Sequence, residues 1–261
     1  NAANPQTLHV AVVNIEGCVA YTTLTIRVLP NPTPSTDPAD IELCDYDNTG
    51  DQIEIFDITI NEAYIINGEP GVSVAYYESL ENATDQIDPI ADPTTYTNIE
   101  PGQQTIYVRV TNDTTGCFTI VTFDIIVNPL PDIGDVPDVI ACELNTDGFY
   151  DFDLETVTIE LLGSQDPVNF TVTYHETQED ADNAENALVS PYTNLTNPQL
   201  LFVNITNNLT GCTITGAGFN IEVQEAAIAN GDGVPAELII CDDPNTANDG
   251  LAQFNLTAVS Y

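Results

Sequence analysis

Apolar and polar residues alternate with a period of two along much of this chain, and short runs of turn-forming residues interrupt the alternation. The alternation is clearest at 105–111, 119–127 and 169–174. A period of two points successive side chains to opposite faces of a β-strand, whereas a helix repeats its apolar positions every three to four residues. The interrupting runs are rich in Asn, Gly and Pro, as at 48–50 and 101–102. About seven short strands per hundred residues predict an all-β fold of immunoglobulin-like β-sandwiches.

One stretch, residues 179–187, has a helix-like composition. It is short and polar, so we expect it to form at most a connecting turn. The protein is therefore predicted to contain almost no helix.

Two sequence patterns recur along the chain. The first ends in Gly-Cys and occurs at 6–18, 104–117 and 199–212. The second begins with three apolar or acidic residues before a cysteine and ends in a Phe-Asp-Leu-like triplet; it starts at Ile41, Val139 and Leu238. Cysteines of the second pattern are 98 and 99 residues apart, and those of the first are 99 and 95 residues apart. The agreement between these spacings indicates a tandem repeat.

The spacing also sets the boundaries of the repeats. We predict two complete repeats, at 36–129 and 134–224, with the end of an earlier repeat at 1–30 and the start of a later one at 236–261. The segments between them are short, and two of them are rich in Pro, which fixes φ and extends the chain. Consecutive sandwiches are therefore expected to form an extended array.

The charge composition of the chain excludes some classes of binding partner. The chain has 41 Asp and Glu residues against two basic residues, Arg27 and Arg109, and its formal charge is −39. Hydrophobic residues still make up 43% of the chain, which is enough for packed cores and argues against disorder. Such negative charge repels nucleic acid and anionic lipid and attracts divalent cations. No apolar run approaches the ~20 residues that cross a bilayer, so we expect no membrane insertion.

The six cysteines include no Cys-x-x-Cys pair, which argues against zinc and for disulfides formed in an oxidising compartment. Two sets of pairings are open. Neighbouring cysteines would join across the linkers as Cys18–Cys44, Cys117–Cys142 and Cys212–Cys241. Alternatively, each complete repeat would close on itself as Cys44–Cys117 and Cys142–Cys212.

Sandwich geometry favours closure within the repeat. The first strand of a seven-strand sandwich starts at the same end as the turn before the last strand, and Cys117 directly follows that turn. The last strand then runs for ~33 Å, and Cys142 lies beyond it. A disulfide spans only ~4.4–6.8 Å between Cα atoms. We therefore predict Cys44–Cys117 and Cys142–Cys212, with Cys18 and Cys241 paired outside this sequence.

Residue types that often act in catalysis occupy positions that the repeat pattern explains without a catalytic role. The position of His9 is taken by Tyr107 and Phe202 in the other repeats, and the position of His175 is taken by Tyr77. A position that accepts Tyr or Phe is a packing position. With 41 acidic residues, pairs of carboxylates arise by chance and single out no dyad. The sequence predicts that the protein is not an enzyme.

The loop after the first cysteine of each repeat resembles a calcium-binding loop, because oxygen-bearing side chains alternate before a glycine. The candidate ligands are Asp45, Asp47, Asp51, Asn145, Asp147, Asp242, Asp243 and Asp249. The bidentate Glu of such loops is absent, since Phe56 and Leu154 hold its position. The alternative is an Asx-rich turn between strands that binds no metal. Calcium is the cofactor that this pattern predicts, and we expect it to raise thermal stability more than sodium at equal ionic strength.

The motifs together resemble a known family. They comprise Cys-Asp-x-x-Asn with a Gly downstream, the Tyr-Thr-Asn triplets at 96–98 and 192–194, and Gln-x-Ile-Tyr-Val-x-Val-Thr-Asn-x-x-Thr-Gly-Cys. They are similar to tandem repeats of very large surface proteins of gliding and marine Bacteroidota, which are exported by type IX secretion and often end in a gliding-motility-associated sorting domain. Glu143 departs from the pattern, since Asp follows the cysteine in the other repeats. The resemblance implies adhesion, gliding or filament building at the cell surface.

The leading interpretation is a structural repeat segment of a long extracellular filament or adhesin stalk. Its expected partners are neighbouring repeats of the same chain or filament and a surface polysaccharide. The alternative is a calcium-dependent carbohydrate- or protein-binding module of a secreted multidomain protein. A lectin-like module predicts that one repeat has exposed aromatic residues near an acidic loop and that its neighbours lack them.

Overall fold

The computed structural model describes residues 4–134, 137–143, 147–216 and 218–226, together with residues 241, 250 and 253. The residues form two compact units. The first contains Asn1–Pro131 and a turn from later in the sequence, Asn207–Thr213, and the second contains the rest of the chain from Asp132 onward. Most of the predicted partial repeat 236–261 lies outside the described residues.

An antiparallel hairpin precedes the first sandwich in the sequence. Strand β1 (Gln6–Val13) pairs with β2 (Val19–Ile26), so that Val13 lies opposite Val19. Nearly all of its side chains are exposed. The Gly-Cys pattern at residues 6–18 thus corresponds to one strand and the turn that follows it.

In the first unit, whose residues 4–131 are all described, the strands after the hairpin form a four-stranded and a two-stranded sheet. They are β3 (Ile41–Cys44), β4 (Ile55–Phe56), β5 (Val72–Tyr77), β6 (Tyr96–Thr97), β7 (Gln103–Asn112) and β8 (Phe118–Asn128). The larger sheet has the order β3-β8-β7-β5, and β4 pairs with β6. Strand β3 is parallel to β8, and the other pairs are antiparallel. Two short helices, α1 (Glu62–Ile66) and α2 (Leu80–Asp85), flank β5 in sequence.

Alternate strand positions supply the core of the first sandwich. In β7 the side chains of Ile106, Val108 and Val110 are buried, because a strand directs every second side chain to the same face. Strand β8 does the same with Val121, Phe123, Ile125 and Val127. The remaining buried residues of this cluster come from β3 and β5 of the larger sheet, from the smaller sheet, from α1 and from the loops.

The second unit repeats this arrangement. Its strands are β9 (Val139–Glu143), β10 (Asp151–Phe152), β11 (Phe170–His175), β12 (Tyr192–Thr193), β13 (Gln199–Asn207), β14 (Thr213–Thr215) and β15 (Phe219–Glu225). The larger sheet has the order β11-β13-β15-β9, with β14 on β13, and β10 pairs with β12. Its helices are α3 (Glu155–Leu162), a 3-10 helix (Pro167–Asn169) and α4 (Gln178–Asn183). Strand β9 is parallel to β15, as β3 is to β8.

Both units are therefore immunoglobulin-like β-sandwiches in tandem, and the predicted fold class is confirmed. The expected near absence of helix was wrong, because four short α-helices are present among the described residues. The segment predicted to be a connecting turn begins with α4, whose first turn is capped where Thr177 Oγ1 accepts the N–H of Asp180 at 3.1 Å. Such a cap satisfies a backbone donor that would otherwise lack a partner, which stabilises even a polar helix.

Candidate functional site

Each repeat carries its second cysteine directly after a tight turn between two strands, which we call the cysteine turn (residues 14–18, 112–117 and 207–212). The asparagine that begins each turn donates its N–H to the carbonyl oxygen of the cysteine, at 3.1, 2.9 and 2.8 Å in chain order. The glycine before each cysteine donates its N–H to that asparagine's carbonyl oxygen. These glycines have φ of 86°, 71° and 75°, a conformation that favours glycine because it has no Cβ. The recurring Gly-Cys pattern therefore encodes a turn that presents a cysteine.

The cysteine turn 207–212 is joined to strand β3 by a disulfide. Cys44 and Cys212 are bonded with 5.6 Å between their Cα atoms, and they are 168 positions apart in sequence. Cys212 is fully buried. Beside the bond, the Tyr46 hydroxyl accepts the N–H of Thr213 at 3.3 Å and lies 3.1 Å from its Oγ1. One covalent bond and two polar contacts therefore hold this turn in the first unit.

The predicted pairings Cys44–Cys117 and Cys142–Cys212 were wrong. The first strand does run parallel to the last, but its cysteine lies at its end rather than at its start. Cys44 is opposite Asn128 at the end of β8, whereas Cys117 directly precedes the start of β8. Ten residues of strand separate the two positions, or ~33 Å. The linker-spanning pairings are not formed either.

The other four cysteines are free thiols in this structure. Cys18, Cys142 and Cys241 are exposed, and Cys117 is half-buried. Cys18 and Cys117 lie in cysteine turns, and Cys142 lies in β9 at the place that Cys44 has in β3. The predicted disulfide positions are thus divided into one bonded pair and four thiols.

The acidic loop after Cys44 is organised around backbone amides. Asp45 is buried, and its carboxylate accepts the N–H groups of Gly50 at 2.6 Å and Gln52 at 3.2 Å. The Asp51 carboxylate accepts the N–H of Ile53 at 2.9 Å. Each of these acids therefore satisfies donors within the loop, as in an Asx-rich turn.

The predicted calcium ligands do not converge on one point in this loop. The structure describes residues 44–56 completely, and no group of three His, Cys, Asp or Glu side chains suited to a metal ion occurs in the described parts of the chain. Asp47 is exposed, and in the second unit Asp147 Oδ1 accepts the N–H of Phe149 at 3.0 Å. Asn145, Asp242, Asp243 and Asp249 lie outside the described residues. The loop of the first unit thus does not fit calcium, and calcium binding stays a prediction.

Substitution of Asp45 distinguishes a structural role of the loop after Cys44 from calcium binding. Asp45→Ala is expected to lower the free energy of unfolding by about 2 kcal/mol with or without calcium, because two N–H groups lose a charged acceptor. Asp47→Ala is the matched control and is expected to change stability by less than ~0.5 kcal/mol. Urea unfolding in millimolar calcium and in sodium chloride of equal ionic strength measures both. A calcium-specific gain that Asp45→Ala abolishes would instead establish a calcium site.

A buried polar network recurs in both units, and the sequence analysis did not identify it. Asn98 accepts the N–H of Glu54 at 2.7 Å and donates to the carbonyl oxygens of Gln52 and Glu100 at 2.9 and 2.8 Å. Asn194 makes the same three contacts, with Tyr150, Gly148 and Thr196. This contact pattern explains why the Tyr-Thr-Asn triplet recurs: its Asn ties the loop after the first cysteine to the smaller sheet.

The Tyr of the same triplet extends the network. Gln104 donates to the Tyr96 hydroxyl at 2.6 Å, and Gln199 donates to the Tyr192 hydroxyl at 2.8 Å. Each hydroxyl in turn donates to a glutamate. Burial raises the pKa of Tyr96 to about 12, so this hydroxyl remains a donor at physiological pH. The Gln that begins the Gly-Cys pattern of each complete repeat, Gln104 or Gln199, is thus a structural residue.

The basic and imidazole side chains of the sandwiches have structural contacts. Arg109 donates to the carbonyl oxygens of Ala83 and Thr84 at 2.8 and 2.9 Å, at the end of α2, and its guanidinium lies 3.4 Å from the centre of the Phe118 ring. A cation there complements the partial negative charge of a helix C-terminus. His175 is fully buried between the Thr173 hydroxyl and the carbonyl oxygen of Glu185.

Comparison with known proteins identifies one family. A family model described as the Flavobacterium inter-domain disulphide bond domain matches residues 40–131 and again residues 138–227. The two matches lie on the two sandwiches, and Cys44 and Cys212 fall in different matches. No curated protein matches the chain in sequence. In the described residues, no helix is long and apolar enough to cross a membrane.

Solved structures show only distant similarity. Drosophila N-cadherin EC1–4 is 10% identical over 85% of this chain, with a TM-score of 0.26, and mouse clustered protocadherin PcdhgC3 EC1–3 is 9% identical over 87%, with a TM-score of 0.25. A SusE-like surface-located polysaccharide-binding protein of Bacteroides thetaiotaomicron is 10% identical over 86%, with a TM-score of 0.20. The chain spans 59%, 78% and 44% of these structures, respectively. Similarity at this level supports no functional conclusion.

Proposed function

The chain belongs to the Flavobacterium inter-domain disulphide bond domain family, and we propose that it is a structural section of a long extracellular filament or adhesin stalk. In this role it mediates surface attachment or gliding and is held at the cell surface after type IX secretion. Disulfides persist in oxidising compartments, which agrees with an extracellular location. We propose that its partners are neighbouring repeats and that consecutive repeats form an extended array. The proposal includes no catalytic step.

The Cys44–Cys212 bond carries this proposal. It joins the first strand of one repeat to the cysteine turn of the next, so residues 45–211 form a closed covalent loop. Tension applied to the two ends of the chain passes through the disulfide and does not extend that loop. A stalk must transmit tension without unfolding, and a covalent bypass around folded sandwiches meets that requirement.

Single-molecule force spectroscopy tests the stalk function. The oxidised chain, pulled from its two ends, is expected to show no extension from the segment between the two cysteines. Addition of a reductant is expected to release this segment, whose 168 positions correspond to about 550–600 Å of extended chain. Cys44→Ser should show the released length without reductant, and Cys117→Ser, the matched control, should behave as the unmodified chain. Equal released lengths for oxidised and reduced chains would contradict the proposal.

A second candidate function is polysaccharide binding, and one feature of the second unit favours it. Phe149 and Tyr150 are 52% and 45% exposed beside the acidic residues Glu143 and Asp151, whereas the first unit has Ile53 and Glu54 at the corresponding places. Exposed aromatic rings offer flat apolar surfaces that suit sugar rings. Affinity electrophoresis in gels containing a neutral polysaccharide such as dextran tests it, with Tyr150→Ala expected to lose any retardation.

A further inference from the structure

The second unit contains a cavity in which acidic and aromatic side chains meet. Its volume is about 590 Å³, within the ~300–1,000 Å³ that is usual for sites of small ligands. The described residues that line it are Cys142, Glu143, Phe149, Tyr150, Asp151 and Thr193. The cavity therefore offers carboxylates, aromatic rings and a hydroxyl group to a ligand.

The Glu143 carboxylate in this cavity is incompletely paired. Glu143 is 9% exposed, and its Oε1 accepts the N–H of Gly148 at 2.5 Å. Its Oε2 is buried and has no hydrogen-bond partner in the described parts of the chain. A buried acceptor without a donor is unfavourable, so a ligand that brings an N–H or O–H donor to this carboxylate is favoured.

The charge of the lining favours a cationic donor. Glu143 and Asp151 are both acidic, and no basic side chain is found among the described residues that line the cavity. The Thr193 hydroxyl donates to Asp151 Oδ1, but a neutral donor leaves the negative charge in place. An ammonium group supplies both the missing donor and the missing charge, because its hydrogen bonds to carboxylates are charge-assisted.

The aromatic rings favour a sugar as the carrier of that ammonium group. Phe149 and Tyr150 are 52% and 45% exposed. The Tyr150 ring meets the Phe152 ring edge to face with 5.3 Å between their centres, which holds it in place. Such a ring stacks on the flat apolar face of a sugar and also attracts a cation through its π-electrons. A metal ion or a lysine side chain has no flat face to stack.

The corresponding place in the first unit lacks these features. Ile53, Glu54 and Ile55 take the places of the two aromatic residues and of the second carboxylate. The carboxylate of Asp45, which corresponds to Glu143, accepts backbone N–H groups with both of its oxygens. The second repeat therefore differs from the first at the residues that would contact a ligand.

We propose that this cavity binds an amino sugar, whose ammonium group lies against the carboxylates of Glu143 and Asp151 and whose ring stacks on Tyr150. The inference rests on the proposed polysaccharide binding and specifies its ligand as a polysaccharide with free primary amino groups. Stacking is available to a neutral sugar as well, so a neutral polysaccharide binds, but more weakly. The formal charge of −39 attracts an amino polysaccharide and repels one that carries carboxylate or sulfate groups.

Two oligosaccharides that differ only at their amino groups test the charge requirement. The glucosamine tetrasaccharide carries amino groups that are protonated in mildly acidic buffer, and in the N-acetylglucosamine tetrasaccharide these groups are acetylated and uncharged. Isothermal titration calorimetry of the full chain, in salt that screens exposed charges, is expected to show at least about tenfold tighter binding of the glucosamine tetrasaccharide. Glu143→Gln is expected to lower this preference to less than about threefold.

Three further variants separate the site from the overall charge of the chain. Glu179→Gln, at an exposed position of α4, removes the same charge elsewhere and is expected to keep the full preference. Asp151→Asn, also at an exposed position, is expected to lower the preference and tests the site independently of the buried Glu143. Tyr150→Ala is expected to weaken the binding of both oligosaccharides by about five- to tenfold, because both stack on that ring.

The outcomes distinguish this inference from the functions on which it builds. Equal affinities for the two oligosaccharides, both weakened by Tyr150→Ala, would overturn the amino-sugar inference and keep polysaccharide binding. Equal losses of preference in Glu143→Gln and Glu179→Gln would also overturn it, because the attraction would then come from the overall charge. Tetralysine bound as tightly as the glucosamine tetrasaccharide would replace the sugar with a basic peptide. If neither oligosaccharide nor dextran binds, both the inference and polysaccharide binding fail, whereas the stalk proposal depends on Cys44–Cys212 and is unaffected.

Discussion

Reduction of the Cys44–Cys212 disulfide is expected to lower the free energy of unfolding of the whole chain by about 5 kcal/mol. The bond closes a loop of 168 positions, and in the chain-entropy model the cost of closing a loop rises with the logarithm of its length. The reduced chain gains that entropy when it unfolds, which favours the unfolded state. The folded state loses one covalent bond, the one between Cys44 and the cysteine turn 207–212. Urea unfolding of the chain with and without dithiothreitol measures the difference.

Two variants control for other effects of the reductant. Cys44→Ser is expected to reproduce the loss in the absence of dithiothreitol, and Cys117→Ser is expected to change stability by less than ~0.5 kcal/mol, since its thiol is free. Peptide mapping without reduction should recover the Cys44 peptide linked to the Cys212 peptide. Recovery of Cys44 linked to Cys117 would contradict both the structure and the expected loss.

The fold was predictable because one signal repeats three times. A single period-two stretch is ambiguous, but the Gly-Cys pattern recurs at nearly constant spacing and fixes which strands belong to equivalent places. The equivalence of His175 with Tyr77 is an example: both are fully buried at the end of equivalent strands, β11 and β5. An internal repeat thus supplies information that a single domain would need relatives to provide.

The disulfide could not be predicted from strand order alone. The parallel pairing of the first and last strands does not determine which end of the first strand carries the cysteine. The register that places Cys44 opposite Asn128 decides this, and register depends on the packing of the whole sheet. The partner is also in another repeat, and spacing within one repeat contains no information about a contact outside it.

The helices and the polar network were missed for different reasons. Helix α3 contains the β-branched residues Thr156, Val157, Thr158 and Ile159, which favour strands, and it forms because Val157, Leu161 and Leu162 reach the core. The network was visible as a recurring triplet without an assigned role. A buried Asn that recurs in a loop indicates that its side chain pairs with backbone N–H and C=O groups, and it would have identified a structural role for the loop.

Asn98→Ala is expected to lower the free energy of unfolding by about 3 kcal/mol. The side chain is 3% exposed, and its removal leaves one N–H and two carbonyl groups of the loop without their partner. Each unpaired buried group costs ~1–3 kcal/mol, and water that enters the loop recovers part of the loss. Asn194→Ala is expected to give a similar loss in the second unit, where the same three contacts are made.

Thr97→Ala is the matched control, because Thr97 precedes Asn98 in the same strand segment but its side chain is exposed on the other face. It should change stability by less than ~0.5 kcal/mol. Urea unfolding measures all three variants, and hydrogen exchange of the Glu54 amide reports the lost contact directly, since that N–H donates to Asn98. Because the two asparagines share no partners, their losses should add in the double variant. An Asn98→Ala chain as stable as the Thr97→Ala chain, with the Glu54 amide still protected, would show that the network does not hold the loop.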